Sequence, residues 1–184
     1  MIEKLAKRTV KWLQVNELIS NNETAVYEYA AFCLLMKIVP LLLIEAYACI
    51  KGSLLDTNVI CAVFLIVRKY SGGYHAKTPL KCVVSSTVIF ITLTEISKYY
   101  YAFSYELVML AFLILGAIIY VKSPVKCPNK TYLREYEIIM KRKVLIINIC
   151  LFGLFIWLFC NGIYSICFDM FISMFLVTVL LFLR

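Results

Sequence analysis

Six long apolar runs divide the 184-residue chain, and they constrain its fold more than any other feature. The runs cover residues 30–50, 54–67, 83–97, 102–121, 144–161 and 163–183. The first, fourth, fifth and sixth reach the length of a membrane-spanning helix, about 20 apolar residues. The second and third are shorter, so they either extend into polar flanks or enclose a protein-buried re-entrant loop. We therefore predict an all-α polytopic membrane protein with about six transmembrane helices.

The composition agrees with a membrane protein. Hydrophobic residues make up 63% of the chain and the mean hydropathy is +0.88, whereas soluble domains average about 45–50% apolar residues. We expect residues 30–184 to form one membrane domain, since this length leaves no room for a separate soluble domain. Residues 1–29 are polar and contain no apolar core before a small-residue cleavage site. We therefore expect a cytoplasmic N-terminal segment and no cleaved signal peptide.

Within that segment, residues 2–13 can form an amphipathic helix. The apolar side would carry Ile2, Leu5, Ala6, Thr9, Trp12 and Leu13. The basic residues on the other side are mainly Lys4, Lys7, Arg8 and Lys11. Such a helix suits an anionic lipid surface, so we expect an interfacial helix that anchors the chain. Docking of an amphipathic peptide substrate is the alternative.

Basic residues concentrate in alternate loops, which predicts the orientation of the chain. Segments 1–29, 68–82, 122–143 and Arg184 hold 4, 4, 7 and 1 of the 19 Lys and Arg residues. Cytoplasmic loops of membrane proteins carry an excess of Lys and Arg. We therefore expect all four segments, and with them both termini, on the cytoplasmic side.

The loop at residues 68–82 combines the most reactive side chains of the chain. His75 is the only histidine and lies seven positions before Cys82. An imidazole beside a thiol can take up its proton and activate it as a nucleophile for acyl chemistry. Gly72 and Gly73 permit a sharp turn, which would let His75 fold back toward Cys82. The alternatives are a structural histidine, a buried membrane cysteine and a simple glycine turn.

The residues after this turn predict the start of a helix. Thr78 is a favoured N-cap residue, and Pro79 is favoured at the first helical position. Cys82 would then lie in the first turn, where the helix dipole favours a thiolate. Lys77 and Lys81 would add positive charge nearby.

The other cysteines predict neither a disulfide framework nor a metal site. Six of the eight lie in or at the edges of apolar runs, where cysteine behaves as a small buried hydrophobe. One histidine and no Cys-x-x-Cys pair cannot build the usual Cys/His zinc sites. We therefore predict no metal and no cofactor. Apart from Cys82, only Cys127 lies in a polar loop, as a rival nucleophile.

Two stretches resemble the accessory gene regulator protein B family of bacterial membrane endopeptidases. The first is the string Arg68-x-x-x-Gly72-Gly73-x-His75-Ala76, followed by Cys82. The second runs from Tyr120 to Lys130 and resembles the proline- and lysine-containing cytoplasmic loop of that family. Length, hydrophobic runs and N-terminal segment extend the resemblance to the whole chain.

The resemblance implies a cysteine peptidase of the bacterial cytoplasmic membrane that processes a small autoinducer propeptide for quorum sensing. Cys82 would attack a carbonyl before the acidic tail, with His75 as general base and then acid. A Cys or Ser of the bound peptide would then release a thiolactone or lactone from the acyl-thioester. The third catalytic member stays open between Glu135, Glu137, a backbone carbonyl and none.

The expected substrate contacts and partners follow from the same resemblance. The substrate-binding residues would be Arg68, Gly72, Gly73, Lys126 and Lys130, although Arg68 could equally be a positive-inside anchor. The cations of 122–143 would attract the acidic tail; the alternative is that they only set the orientation of the chain as positive-inside residues. The implied partners are the propeptide, the lipid bilayer and a second copy in a homodimer, with no nucleic acid.

Ionisable residues in or near the apolar runs support a different class of protein. Glu45, Asp169 and Lys37 could serve a small transporter or channel as intramembrane polar groups. Such a protein would lose transport when they are replaced and would be indifferent to Cys82→Ala. A membrane chaperone or interaction subunit, sensitive to neither set, is a further alternative.

Overall fold

The computed structural model describes residues 2–72, 78–124 and 134–183. Seven α-helices and two single 3-10 turns, with no strand, make up the regular structure of these ranges. The helices are α1 Ile2–Val15, α2 Thr24–Lys51, α3 Leu54–Ser71, α4 Pro79–Ser97, α5 Tyr105–Lys122, α6 Arg134–Cys160 and α7 Tyr164–Phe182. The predicted all-α polytopic fold is confirmed.

Five of the helices in the described ranges are long and apolar enough to cross a membrane, namely α2, α4, α5, α6 and α7. The second predicted run lies in α3, which does not meet this criterion and carries Asp56, Arg68 and Lys69. However, α3 packs against α7, α6, α2 and α4. Because neighbouring helices cover much of it, α3 can keep charged residues near its ends inside an otherwise apolar bundle.

The centre of the bundle is α7. In the most apolar 18-residue stretch of α7, 61% of the residues are buried, whereas the buried share of the corresponding stretch is at most 22% in the other four spans. It packs chiefly against α3 and α5, and the buried Ser173 donates a hydrogen bond from Oγ to the Ile60 carbonyl at 3.0 Å. Polar side chains on a spanning helix prefer such interior contacts. The other spans therefore turn most of their apolar surface outward.

The amphipathic α1 lies against α2. Ala6 and Val10 are buried, whereas Leu5 and Trp12 are 48% and 61% exposed. Of the predicted apolar side, Ala6 is thus buried, whereas Leu5 and Trp12 remain uncovered; Val10 is not among the residues predicted for that side. The exposed part leaves α1 with the apolar surface that an interfacial helix needs.

Candidate active site

The predicted helix start before Cys82 is confirmed. Thr78 has extended backbone (φ −127°, ψ 145°), and its Oγ1 accepts a hydrogen bond from the backbone N–H of Lys81 at 3.4 Å. Pro79 is the first residue of α4, so Cys82 is the fourth. The Cys82 backbone N–H bonds the Thr78 carbonyl at 3.1 Å. This places the thiol at the end of α4 where helix N–H groups lack intrahelical acceptors and the dipole is positive.

Cys82 is half-buried, with neighbours along α4 that hold its backbone. Ser86 and Ser85 donate hydrogen bonds from Oγ to the Cys82 carbonyl at 2.8 and 3.2 Å. Serine hydroxyls commonly bond back to the preceding helical turn in this way. Sequence reasoning did not single out these serines. They constrain the first turn of α4 rather than supply a further nucleophile.

Arg68 lies near the end of α3. The guanidinium carbon of Arg68 lies 5.3 Å from the centre of the Phe64 ring. Phe64 in turn packs edge-to-face on Phe90 of α4, and the two ring centres are 5.0 Å apart. The aromatic pair therefore holds the Arg68 guanidinium near the end of α3, on the helix that packs against the Cys82-bearing α4.

Gly72 ends α3 in a conformation that calls for glycine. Its φ is +76° and its ψ is −155°, a region that residues with a Cβ almost never occupy. Its N–H bonds the Arg68 carbonyl at 3.1 Å, so the turn starts immediately after the turn of helix that carries Arg68. The sharp turn predicted at this point is confirmed for Gly72.

Several predicted residues lie outside the described residues, namely Gly73, His75, Lys77, Lys126, Cys127 and Lys130. The pairing of His75 with Cys82 therefore stays a prediction. Among the candidates for a third catalytic member, Glu135 and Glu137 lie in the first turn of α6. The choice between them, a backbone carbonyl and none stays open.

The start of α6 reaches the end of α3 at Tyr70, a residue that sequence reasoning missed. The Nζ atoms of Lys69 and Lys143 lie 5.3 and 5.4 Å from the centre of the Tyr70 ring. Lys143 belongs to the predicted basic loop 122–143. No local pattern marks Tyr70, because the contact joins residues far apart in sequence. The two basic segments therefore meet beside the helix end that carries Arg68.

The three residues of the transporter hypothesis lie in different surroundings. Glu45 Oε2 accepts a hydrogen bond from Asn58 Nδ2 at 3.5 Å. Asp169 is fully buried, and its Oδ1 accepts a hydrogen bond from Ser97 Oγ. Lys37 is exposed. These contacts do not outline a shared polar pathway. Among the described residues 2–72, 78–124 and 134–183, no group of three or more His, Cys, Asp or Glu residues could hold a metal ion.

A family model described as Accessory gene regulator B matches residues 6–182. No curated protein and no solved structure matches the chain. The matched stretch includes nearly all of the helical bundle and both basic loops. The chain is an all-helical membrane protein that belongs to the accessory gene regulator B family.

Proposed function

We propose that this protein is a membrane cysteine endopeptidase that cleaves a small autoinducer propeptide and allows the product to cyclise. Membership of the accessory gene regulator B family supports a role in propeptide processing. The observation that carries the finer proposal is the position of Cys82 at the positive N-terminal end of α4, with Arg68 in the last turn of the adjacent α3. A nucleophilic thiolate needs such positive surroundings.

In the first step the Cys82 thiolate attacks the carbonyl carbon that precedes the propeptide tail. A C–S bond forms, and the negative charge moves to the carbonyl oxygen. Arg68 and the positive end of the α4 helix dipole can stabilise that charge. The C–N bond then breaks, His75 gives its proton to the leaving amine, and an acyl-thioester remains on Cys82.

In the second step a Cys or Ser side chain of the bound peptide attacks this thioester. His75 accepts the proton of the attacking group, the acyl group moves to the peptide side chain, and Cys82 is released as a thiolate. The product is a cyclic thiolactone or lactone. Because the acyl-enzyme keeps an activated carbonyl, ring closure needs no nucleotide.

The charges at this end of the bundle suit an acidic leaving segment. Lys69, which follows Arg68 in α3, and Lys143 of α6 flank the Tyr70 ring. Lys126 and Lys130 belong in sequence to the same basic segment, 122–143, as Lys143. A concentration of one charge sign attracts a peptide of the opposite sign. We propose that the tail leaves along these cations, while Gly72 and Gly73 shape the turn that admits the scissile bond.

The same charges support a location in the bacterial cytoplasmic membrane with both termini inside. At one end of the bundle, Lys143 of α6 lies at the Tyr70 ring near the end of α3, and Lys122 at the end of α5 lies at the Phe182 ring at the end of α7. Because basic residues concentrate at the cytoplasmic side, this end is proposed to face the cytoplasm, where the propeptide is made.

The test is an acyl-enzyme search by intact mass on purified protein in nanodiscs with candidate propeptides. We expect a hydroxylamine-sensitive adduct on the wild type, none on Cys82→Ala and less on His75→Ala. Cys49→Ala is the matched control, because Cys49 is an exposed thiol at the opposite end of the bundle. An unchanged adduct or tail release with Cys82→Ala would refute the proposal.

A further inference from the structure

A groove of about 360 Å³ lies between α5 and α6, with the buried Met174 of α7 among its lining residues. On α5 it is lined by Leu113, Gly116, Ala117 and Tyr120, which share one helix face by their spacing. None of its lining residues within the described ranges belongs to α3 or α4. The groove is therefore separate from the candidate active site.

Contacts between α5 and α6 bound the groove, and one of them is the stacking of Phe112 on Phe155, with ring centres 4.6 Å apart. Asn148 of α6 donates a hydrogen bond from Nδ2 to the Gly116 carbonyl at 3.0 Å. Elsewhere α5 packs chiefly on α7. A Cβ at Gly116 would lie 3.8 Å from both Asn148 Cγ and Met174 Cε, an ordinary contact. Alanine therefore fits at this position, and space remains beyond it.

The groove is long, apolar and open at the side. Leu113 and Tyr120 are seven residues apart, so it extends about 10 Å along the helix axis. Leu113 and Ile149 on its edges are 43% and 63% exposed, which leaves it open to the hydrocarbon of a membrane. Ligand sites commonly have about 300–1,000 Å³ and a mostly apolar lining. An acyl chain fits this shape.

Positive charge stands at one end of the groove. Lys141 and Arg142 precede the lining residue Leu145 by four and three positions, so they lie on the same face of α6, one turn closer to its start. Both are exposed. Among the described residues that line the groove, none is acidic. An occupant with an apolar chain and an anionic head would match both parts of this surface.

We propose that the groove between α5 and α6 binds one anionic phospholipid, with an acyl chain along the groove and its phosphate at Lys141 and Arg142. Arginine presents a planar fork of donors that matches phosphate oxygens. Basic pockets between membrane helices hold anionic head groups in the same manner. A zwitterionic lipid has the same acyl chain but carries no net negative charge that Lys141 and Arg142 could attract.

The test is native mass spectrometry of the full-length protein, with phosphatidylglycerol and phosphatidylcholine of identical acyl chains. We expect one retained lipid per chain and a preference for phosphatidylglycerol of about tenfold. Lys141→Glu with Arg142→Glu should abolish this preference. The pair Lys51→Glu with Lys98→Glu, two exposed lysines at the opposite end of the bundle, changes the net charge equally and should leave it intact.

A second pair of variants tests the groove itself. Ala117→Trp should fill it and remove the retained lipid of either class, whereas Gly116→Ala should keep it. Since Ala117 is exposed, Ala117→Leu provides a milder version if the tryptophan variant fails to fold. A preference unaffected by the charge reversals, or retention unaffected by Ala117→Trp, would overturn the proposal. If Ala117→Trp instead removed the mass of a dimer from the spectrum, the occupant of the groove would be a second copy of the chain. This result too would overturn the proposal.

Discussion

The two ends of the α3–α4 helix pair differ. Where α3 begins, buried polar side chains form hydrogen bonds with one another. Where α3 ends, charged side chains meet beside a glycine turn. Thr57 and Thr94 share a hydrogen bond at 3.1 Å, and Ser97 donates to the buried Asp169. At the opposite end lie Arg68, in the last turn of α3, and the half-buried Cys82. One end is thus closed by internal contacts, and the other is the proposed reactive end.

This contrast explains how a small membrane bundle can hold its proposed reactive end in place. Each hydrogen bond between membrane helices contributes about 0.6 kcal/mol on average, so the closed end is fixed by several modest contacts. The reactive end depends on Phe64 and Phe90 for packing and on Gly72 for the turn. Variants at the reactive end should therefore change catalysis more than stability, and variants at the closed end should do the reverse.

The largest effect should come from Arg68. We expect Arg68→Ala to lower the rate of tail release about 10²–10³-fold, as for the loss of one oxyanion stabiliser. Arg68→Lys should recover little of it, because lysine lacks the planar group that stacks on Phe64. Single-turnover tail release, measured beside thermal unfolding, checks both. Full activity in Arg68→Lys would show that a charge alone suffices.

A smaller loss should follow from Gly72→Ala. The φ and ψ of Gly72 would cost an alanine about 1–3 kcal/mol, so the turn should move and displace the residues that follow Arg68. We expect reduced tail release with helix content unchanged by circular dichroism. Gly162→Ala is the control, since that glycine also has positive φ (+73°) but lies at the other end of the bundle. Equal losses in both variants would point to general strain.

At the closed end, Asp169 should affect stability rather than catalysis. Asp169→Leu removes the acceptor of the buried Ser97 hydroxyl and should destabilise the bundle by about 1–3 kcal/mol. Asp169→Asn keeps an acceptor oxygen of similar shape and should cost much less. Thermal unfolding in detergent, with activity per folded molecule, measures the two separately. A loss of activity in a stable Asp169→Asn protein would contradict this assignment.

The smallest effect should come from Thr57→Val, which is nearly isosteric. It removes the bond to Thr94, while Thr94 keeps a hydrogen bond from Oγ1 to the Phe90 carbonyl at 3.0 Å. We expect a loss of about 0.5–1 kcal/mol and unchanged tail release. Thr92→Val is the matched control, because Thr92 is exposed and bonds only its own helix. If both variants unfold alike, the Thr57–Thr94 bond contributes nothing.

Features with local causes could be predicted from the sequence. Thr78 and Pro79 predict the start of α4 because an N-cap and a first-turn proline act within a few residues. Gly72 predicts a turn for the same reason. The length of the apolar runs indicates spanning helices, since a bilayer fixes how many residues are needed.

Features that depend on pairing between helices could not be predicted. The contact of Lys143 with Tyr70 joins helices that no local pattern brings together. The central position of α7 could not be predicted from the sequence either, because a lipid-facing side chain and a core side chain are equally apolar. Asp169 and Ser173 were the available signal, since polar residues of a spanning helix turn toward protein. In α1, the sequence cannot distinguish apolar contact with α2 from contact with lipid.

The short connection between α2 and α3 has a consequence for how the chain enters a membrane. Only Gly52 and Ser53 separate the two helices, and Gly52 closes the turn with a φ of +67°. Because α3 is too polar to partition into lipid alone, it should enter as one limb of a hairpin with the apolar α2. Its main packing partner, α7, is synthesised much later. Until α7 is made, the half of the bundle that carries Cys82 lacks this partner, so α3 should pack firmly only after α7 has entered the membrane.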